Sequence, residues 1–216
     1  MRFINKKILN KMNNNRNANV TAYFSDYRKR LNNLLDKVNT EDLYRVIDLL
    51  VNTFRNGNTL YICGNGGSAA TASHMHADFS FFIRYFTSYR PKVRALTDNI
   101  AMITAVGNDT SYDDIFIEQL KGHFNEGDVI ICISASGNSS NVIKAAKYAN
   151  EHGGTSVAFV GFTGGLLLKE ASIALYTPNP KGDYGPIEDL HMIYDHLIVN
   201  YLSQDEDFLS LKADED

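Results

Sequence analysis

From Val20 to Val38 the apolar residues Tyr23, Phe24, Tyr27, Leu31, Leu34, Leu35 and Val38 recur at three- and four-residue steps, the period of an amphipathic helix. Leu43, Val46, Ile47, Leu50, Val51 and Phe54 keep that period, with Asn39 or Thr40 able to cap the start and Gly57 placed to stop it. The two runs read as an antiparallel helical pair ahead of the main fold. After Gly57 the pattern changes. Short runs rich in Val, Ile, Leu and Tyr ("TLYICG", "KVRALT", "DVIICIS", "TSVAFVGF", "SIALYTP") alternate with helical stretches. That is the sequence form of a parallel sheet covered by helices on both faces. Between the second and third runs, "DNIAMITAVGNDTSYDDIFIEQLKGHF" has room for two short helices around a Gly-Asn-Asp turn. The last helix begins near Pro186 and is apolar through Leu190, Ile193, Tyr194, Leu197, Ile198 and Tyr201.

Composition narrows the class. A chain of 216 residues with 44% hydrophobic content can bury one sizeable core. The expected organisation is a flexible lead-in over 1–19, a single domain over 20–203 and an acidic tail over 204–216. A formal net charge of -4 lacks the clustered basic excess of a nucleic-acid binder, so any bound anion is small. Cys63 and Cys132 lie in apolar runs, where they behave as buried hydrophobes rather than as a disulfide framework. With no signal-peptide core in the basic, Asn-rich opening and no membrane-spanning stretch, a cytoplasmic protein is expected.

Two strand-to-helix junctions, "CGNGGSAATASH" and "ISASGNSSNVIKAAKYA", are rich in Gly and Ser. In open parallel sheets ligands collect at the carboxyl ends of strands, where helix amino termini offer unpaired N–H groups to an anion. Ser134, Ser136, Ser139 and Ser140 add hydroxyls suited to a phosphate monoester, although neither junction has the spacing of a nucleotide-binding P-loop. The helix after the first junction carries His74, His76 and Asp78. His74 and Asp78, four apart, share a face, and such a pair can chelate a metal or transfer a proton. The final helix adds Glu188, Asp189, His191, Asp195 and His196. Glu188, His191 and Asp195 form its tightest stripe, with His196 roughly 80° from Glu188, so spacing does not choose between the two histidines.

Together, "GNGGSAATASHMHADF", "VGNDTSYDDIF", "ISASGNSSNVIKAA" and "IEDLHMIYDHLIV", in this order, resemble the sugar isomerase (SIS) domain of phosphoheptose isomerases, over nearly everything from the first helix to Tyr201. The resemblance implies a three-layer α/β/α sandwich with a five-stranded parallel sheet, a homotetramer, and isomerisation of sedoheptulose 7-phosphate to a heptose 7-phosphate for lipopolysaccharide or capsule precursors. It also implies that Ser134, Ser136 and Ser139 hold the phosphate, with Asn65, Gly66 and Ser68 nearby, and that Asp98 and Glu188 meet the sugar. By the same resemblance His74, Asp78, Glu188 and His196 bind zinc, and Asp78 and His196 are the proton-transfer pair. The chemistry suits such residues: moving a carbonyl between C2 and C1 passes through an enediol, which needs a proton shuttle and polarisation of the oxygens.

The sequence departs from the family pattern at several of these positions. Asp78 stands for a longer Glu and Glu188 for a Gln; the family's sugar-contacting Asp falls near Gly185, with Asp183 the closest carboxylate. A family Arg falls on Phe82, leaving Arg84 as a substitute. A rival reading follows from the same fold: SIS domains also serve as non-catalytic modules that sense phosphosugars or bind proteins. The retained His and carboxylate positions favour the enzyme.

Overall fold

The computed structural model describes residues 6–211, with side chains from residue 16 onward. Two helices come first, α1 (Lys6–Leu35) and α2 (Thr40–Arg55). The Asn39 side chain caps α2, accepting from the amides of Glu41 at 3.0 Å and Asp42 at 3.4 Å, which satisfies two N–H groups with no partner inside the helix. The alternating part then runs β1 (Thr59–Gly64), α3 (Gly67–Ser80), β2 (Lys92–Ala95), α4 (Ile100–Asp109), α5 (Ile117–Leu120), β3 (Val129–Ser134), α6 (Ser140–Glu151), β4 (Thr155–Val160), α7 (Leu167–Glu170), β5 (Ile173–Tyr176) and α8 (Tyr184–Leu202). A last turn of helix, α9 (Glu206–Leu209), follows.

All five strands are parallel, in the order β2-β1-β3-β4-β5. Every residue of β3 is buried, as expected of a central strand covered on both sides. One face of the sheet packs α2, α3, α8 and α9 through residues such as Leu50, Met75, Phe79, Leu190 and Phe208. The other packs α4, α5, α6 and α7 through Val106, Leu120, Val142, Ala146 and Leu167. The expected three-layer α/β/α sandwich is therefore the fold. Met75 and Phe79, both fully buried, each contribute about 1.5–3 kcal/mol of apolar burial and seat α3 on the sheet next to α8.

Two expectations about the ends are corrected. Helix α1 starts at Lys6, so the segment over 6–19 continues a helix where a flexible lead-in was expected; residues 1–5 lie outside the described residues. The two helices stand ahead of the sheet as the expected helical pair; α1 packs on α8, and α2 packs on β1, β5 and α9. Arg30 of α1 pairs with Asp183 at the start of α8, Tyr27 hydrogen-bonds Asp189, and Leu34 is buried. Lastly, the start of the acidic tail folds, because Phe208 inserts edge-on against Phe54 at 6.1 Å between ring centroids and is fully buried. Residues 212–216 lie outside the described residues.

Candidate active site

The strand order fixes where a ligand belongs. The chain leaves β1 for β2 on one side, then crosses back to β3 on the other, so β1 and β3 flank the point at which the winding reverses. Loops there diverge and leave a crevice at the carboxyl ends of the strands. Both Gly/Ser-rich loops open onto it, since Gly64 at the end of β1 is paired with Ile133 of β3.

The second loop carries the hydroxyls. Ser134 is buried at the end of β3; its Oγ accepts the Gly137 amide at 3.1 Å and lies 3.5 Å from Ser139 Oγ. Ser139 is the N-cap residue of α6 but makes no side-chain cap bond. The Ser134 and Ser139 hydroxyls thus lie side by side at the amino terminus of α6, the kind of place where anions bind. Ser136 Oγ accepts the Asn138 amide at 3.3 Å. Gly137 has φ +65°, and a Cβ there would collide with the Gly164 carbonyl. The loop is braced from behind, Leu167 donating its amide to the Gly137 carbonyl at 2.9 Å.

In the first loop Asn65 is engaged with the second. Its amide exchanges hydrogen bonds with Asn141 of α6, at 2.9 and 3.0 Å, and its Oδ1 also accepts the Tyr112 hydroxyl at 2.9 Å. Gly66 is the N-cap residue of α3, Ser68 is buried, and Gly67 leaves room for the Glu188 carboxylate, which a Cβ would displace. Glu188 therefore reaches from α8 to the very start of α3.

Two turns along α3, His74 and Asp78 meet α8. His74 Nε2 lies 3.1 Å from His196 Nε2 and 3.6 Å from Asp78 Oδ2, and the two imidazoles meet edge to face. Asp195 joins them: one donor atom each from His74, Asp78, Asp195 and His196 lies within 4.8 Å of the others. Of the four residues the resemblance gave to a metal, three converge. Glu188 falls outside that group, because it sits about 12 Å of helix rise before His196 with its carboxylate turned to Gly67. Asp195, which the sequence groups in one stripe with Glu188 and His191, is fully buried, and among the described residues neither of its carboxylate oxygens is hydrogen-bonded. Burial, and then the neighbouring negative charge of Asp78, push its pKa up to about 8.

The structure also separates the two histidines of α8. His196 is exposed and in the cluster; His191 is fully buried against Phe159 and Tyr194, neither ring nitrogen is hydrogen-bonded among the described residues, and burial pulls its pKa down to about 3. Asp98 lies elsewhere in this chain, across α3 from His74. It accepts from Ser73 and faces His76 Nδ1 at 3.1 Å. Burial raises its pKa, but the hydrogen bonds from Ser73 and His76 outweigh that and hold it below the usual carboxylate range.

A model of the SIS domain matches residues 22–161. Phosphoheptose isomerase of Aliarcobacter butzleri is 37% identical over 167 residues, 76% of this chain and 86% of the relative. The chain belongs to the SIS-domain phosphoheptose isomerase family. Among solved structures, the phosphoheptose isomerase of Neisseria gonorrhoeae superposes with a TM-score of 0.78 at 29% identity, covering 88% of this chain and 99% of that one. That of Francisella tularensis gives 0.77 at 26% identity, covering 87% and 98%. The departures noted against this family now have surroundings. Asp183, the carboxylate nearest Gly185, is held by Arg30. Arg84 stacks on Phe81, its guanidinium carbon 3.7 Å from the ring centroid, and hydrogen-bonds the Tyr85 hydroxyl. Neither is brought to the cluster.

Proposed function

We infer that this chain is a sugar-phosphate isomerase acting on a heptose phosphate, and we propose the interconversion of sedoheptulose 7-phosphate and a heptose 7-phosphate that feeds lipopolysaccharide or capsule precursors. The observation that carries the reading is the convergence of His74, Asp78 and His196 two helical turns from the Gly/Ser-rich loops. From Gly67 to His74 the helix rises about 10 Å, a length that an extended seven-carbon phosphate spans. The non-catalytic alternative leaves that convergence without a purpose.

In this reading the phosphate lies on the Ser134, Ser136 and Ser139 hydroxyls and the amino terminus of α6, with Gly66 and Ser68 lining the crevice beside them. Asn65 ties the two loops together, and Glu188 contacts the sugar from beside Gly67. Asp98 sits across α3 and meets substrate only from a neighbouring chain's site. At the far end Asp78 takes the proton from one of the two reacting carbons and returns it to the other. His196 moves a proton between their oxygens. The net change is a carbonyl moved by one carbon, with no other reactant. His74 Nε2, 3.1 Å from His196 Nε2, is close enough to share a proton with that imidazole.

The donor set fits a divalent cation of the zinc type. Two imidazole nitrogens on a tetrahedral zinc stand about 3.3 Å apart, close to the 3.1 Å between His74 and His196. When bound, such an ion would supply Lewis-acid stabilisation of the charge that develops on the enediol oxygens, and Asp78 and His196 would move protons in its absence or at its edge.

We further propose a homotetramer, supported by the apolar stripe on α1, where Val20, Tyr23 and Phe24 are all more than half exposed. Among the described residues no helix is long and apolar enough to cross a membrane. The two free cysteines suit a reducing compartment, and we place the reaction in the cytoplasm. The test is direct: purified protein with sedoheptulose 7-phosphate should form an aldose phosphate. No turnover of any ketose or aldose phosphate would return the chain to the non-catalytic reading.

A further inference from the structure

We propose that Asp195 is the fourth ligand of a divalent-cation site formed with His74, Asp78 and His196, in the position that family resemblance gives to Glu188. The inference rests on the metal reading above and changes its ligand set. Two independent observations carry it.

The first is placement. Donor atoms of these four residues lie within 4.8 Å of one another, whereas the Glu188 carboxylate is packed against Gly67 at the opening of α3. The second is the state of the Asp195 side chain. It is 0% exposed, and among the described residues neither oxygen has a hydrogen-bond partner. A carboxylate without solvent or donors must either keep a proton or face a cation. Among the described residues no Lys or Arg forms an ion pair with Asp195; what it does have is a neighbouring set of metal-type donors.

The other unpartnered polar side chain on α8 gives the contrast. His191 is equally buried, but it lies among aromatic rings away from this cluster and is a neutral core residue. Charge and ligand chemistry point the same way for Asp195. Two carboxylates neutralise a divalent ion, and two neutral imidazoles complete four-coordination. The shorter reach of Asp78, where the family has Glu, is then made up from the other helix. Glu188 is released to contact the sugar.

The experiment measures zinc binding without substrate, so it is separate from turnover. Full-length protein is stripped with chelator and titrated with zinc by calorimetry, with metal per chain counted after dialysis. Wild type should hold one zinc per chain. Asp195→Asn should lose at least tenfold in affinity, and Glu188→Gln should bind as wild type does. Should Asp195→Asn fail to fold, Asp195→Leu serves instead: it keeps the volume, removes the buried charge, and should fold with the same loss of zinc. Wild-type affinity in an Asp195 variant, or loss of zinc in Glu188→Gln alone, overturns the ligand set. Failure of wild type to bind zinc overturns the site, while an isomerase assay on the same sample reports independently on the reaction.

Discussion

His74 and His196 stand with their Nε2 atoms 3.1 Å apart although 122 residues separate them in the chain. One ring nitrogen must donate and the other accept, or both must turn to a shared ion. Either way the contact couples α3 to α8 two helical turns from the Gly/Ser-rich loops, and the first prediction follows from it. Asp78→Asn and His196→Ala, made separately, should each lower kcat for sugar-phosphate isomerisation by about 10²–10⁴-fold, the range for removal of a general acid or base. Affinity for the phosphosugar should fall far less, because the phosphate end is intact. Full turnover in both variants would sink the catalytic assignment.

The serine loop should act on the phosphate alone. Removing one hydroxyl that bonds a charged oxygen costs about 1.5–3 kcal/mol, so Ser136→Ala should weaken sugar phosphates by roughly 10- to 100-fold and leave unphosphorylated sugars unchanged. Thermal-shift titrations with matched pairs of sugars read the difference. Equal binding of both members of a pair by wild type would remove the phosphate site.

His191 predicts a pH dependence of stability. Its folded pKa is depressed to about 3 from an ordinary 6.5, so below pH 6.5 the unfolded chain takes up a proton that the folded chain refuses. The stabilising contribution is complete above pH 6.5 and is lost as pH falls toward 3, at up to about 1.4 kcal/mol per unit. Chemical denaturation of wild type and His191→Leu at pH 7 and pH 5 isolates the effect. The variant should gain on wild type by about 2 kcal/mol between those two pH values. A pH-independent difference would show that His191 is not held neutral.

Helix α1 predicts the assembly. Val20, Tyr23 and Phe24 are 60%, 67% and 63% exposed, which is an apolar stripe too long to leave to solvent without cause. Light scattering of wild type should give four chains per particle, and Tyr23→Glu with Phe24→Glu should reduce that number. A wild-type monomer at micromolar concentration would contradict it.

The strands could be read from the sequence because each falls in a short run rich in Val, Ile, Leu or Tyr, buried throughout in the central β3 and only in part in the edge strands β2 and β5. The ends could not. Residues 6–19 are mostly polar and carry no apolar period, so the helix they form leaves no pattern. Phe208 is one aromatic among acids, and only the hollow beside Phe54 shows that it is core. At the site, the pairing of His74 with Asp78 was visible from their spacing. On α8 the spacing grouped Glu188, His191 and Asp195, but the orientation of that stripe is set by packing. It turns His191 into the core, brings Asp195 to the cluster and carries Glu188 to Gly67.

The reciprocal amide pair between Asn65 and Asn141 bears on how tightly a substrate can be held. It latches two loops from adjacent strands into one rim before any sugar arrives. A ligand that meets a preformed rim loses little affinity to the ordering of backbone. Asn65→Leu would leave both loops in place but unlatched, and the cost would fall on the affinity of every phosphosugar alike, whatever its carbon chain.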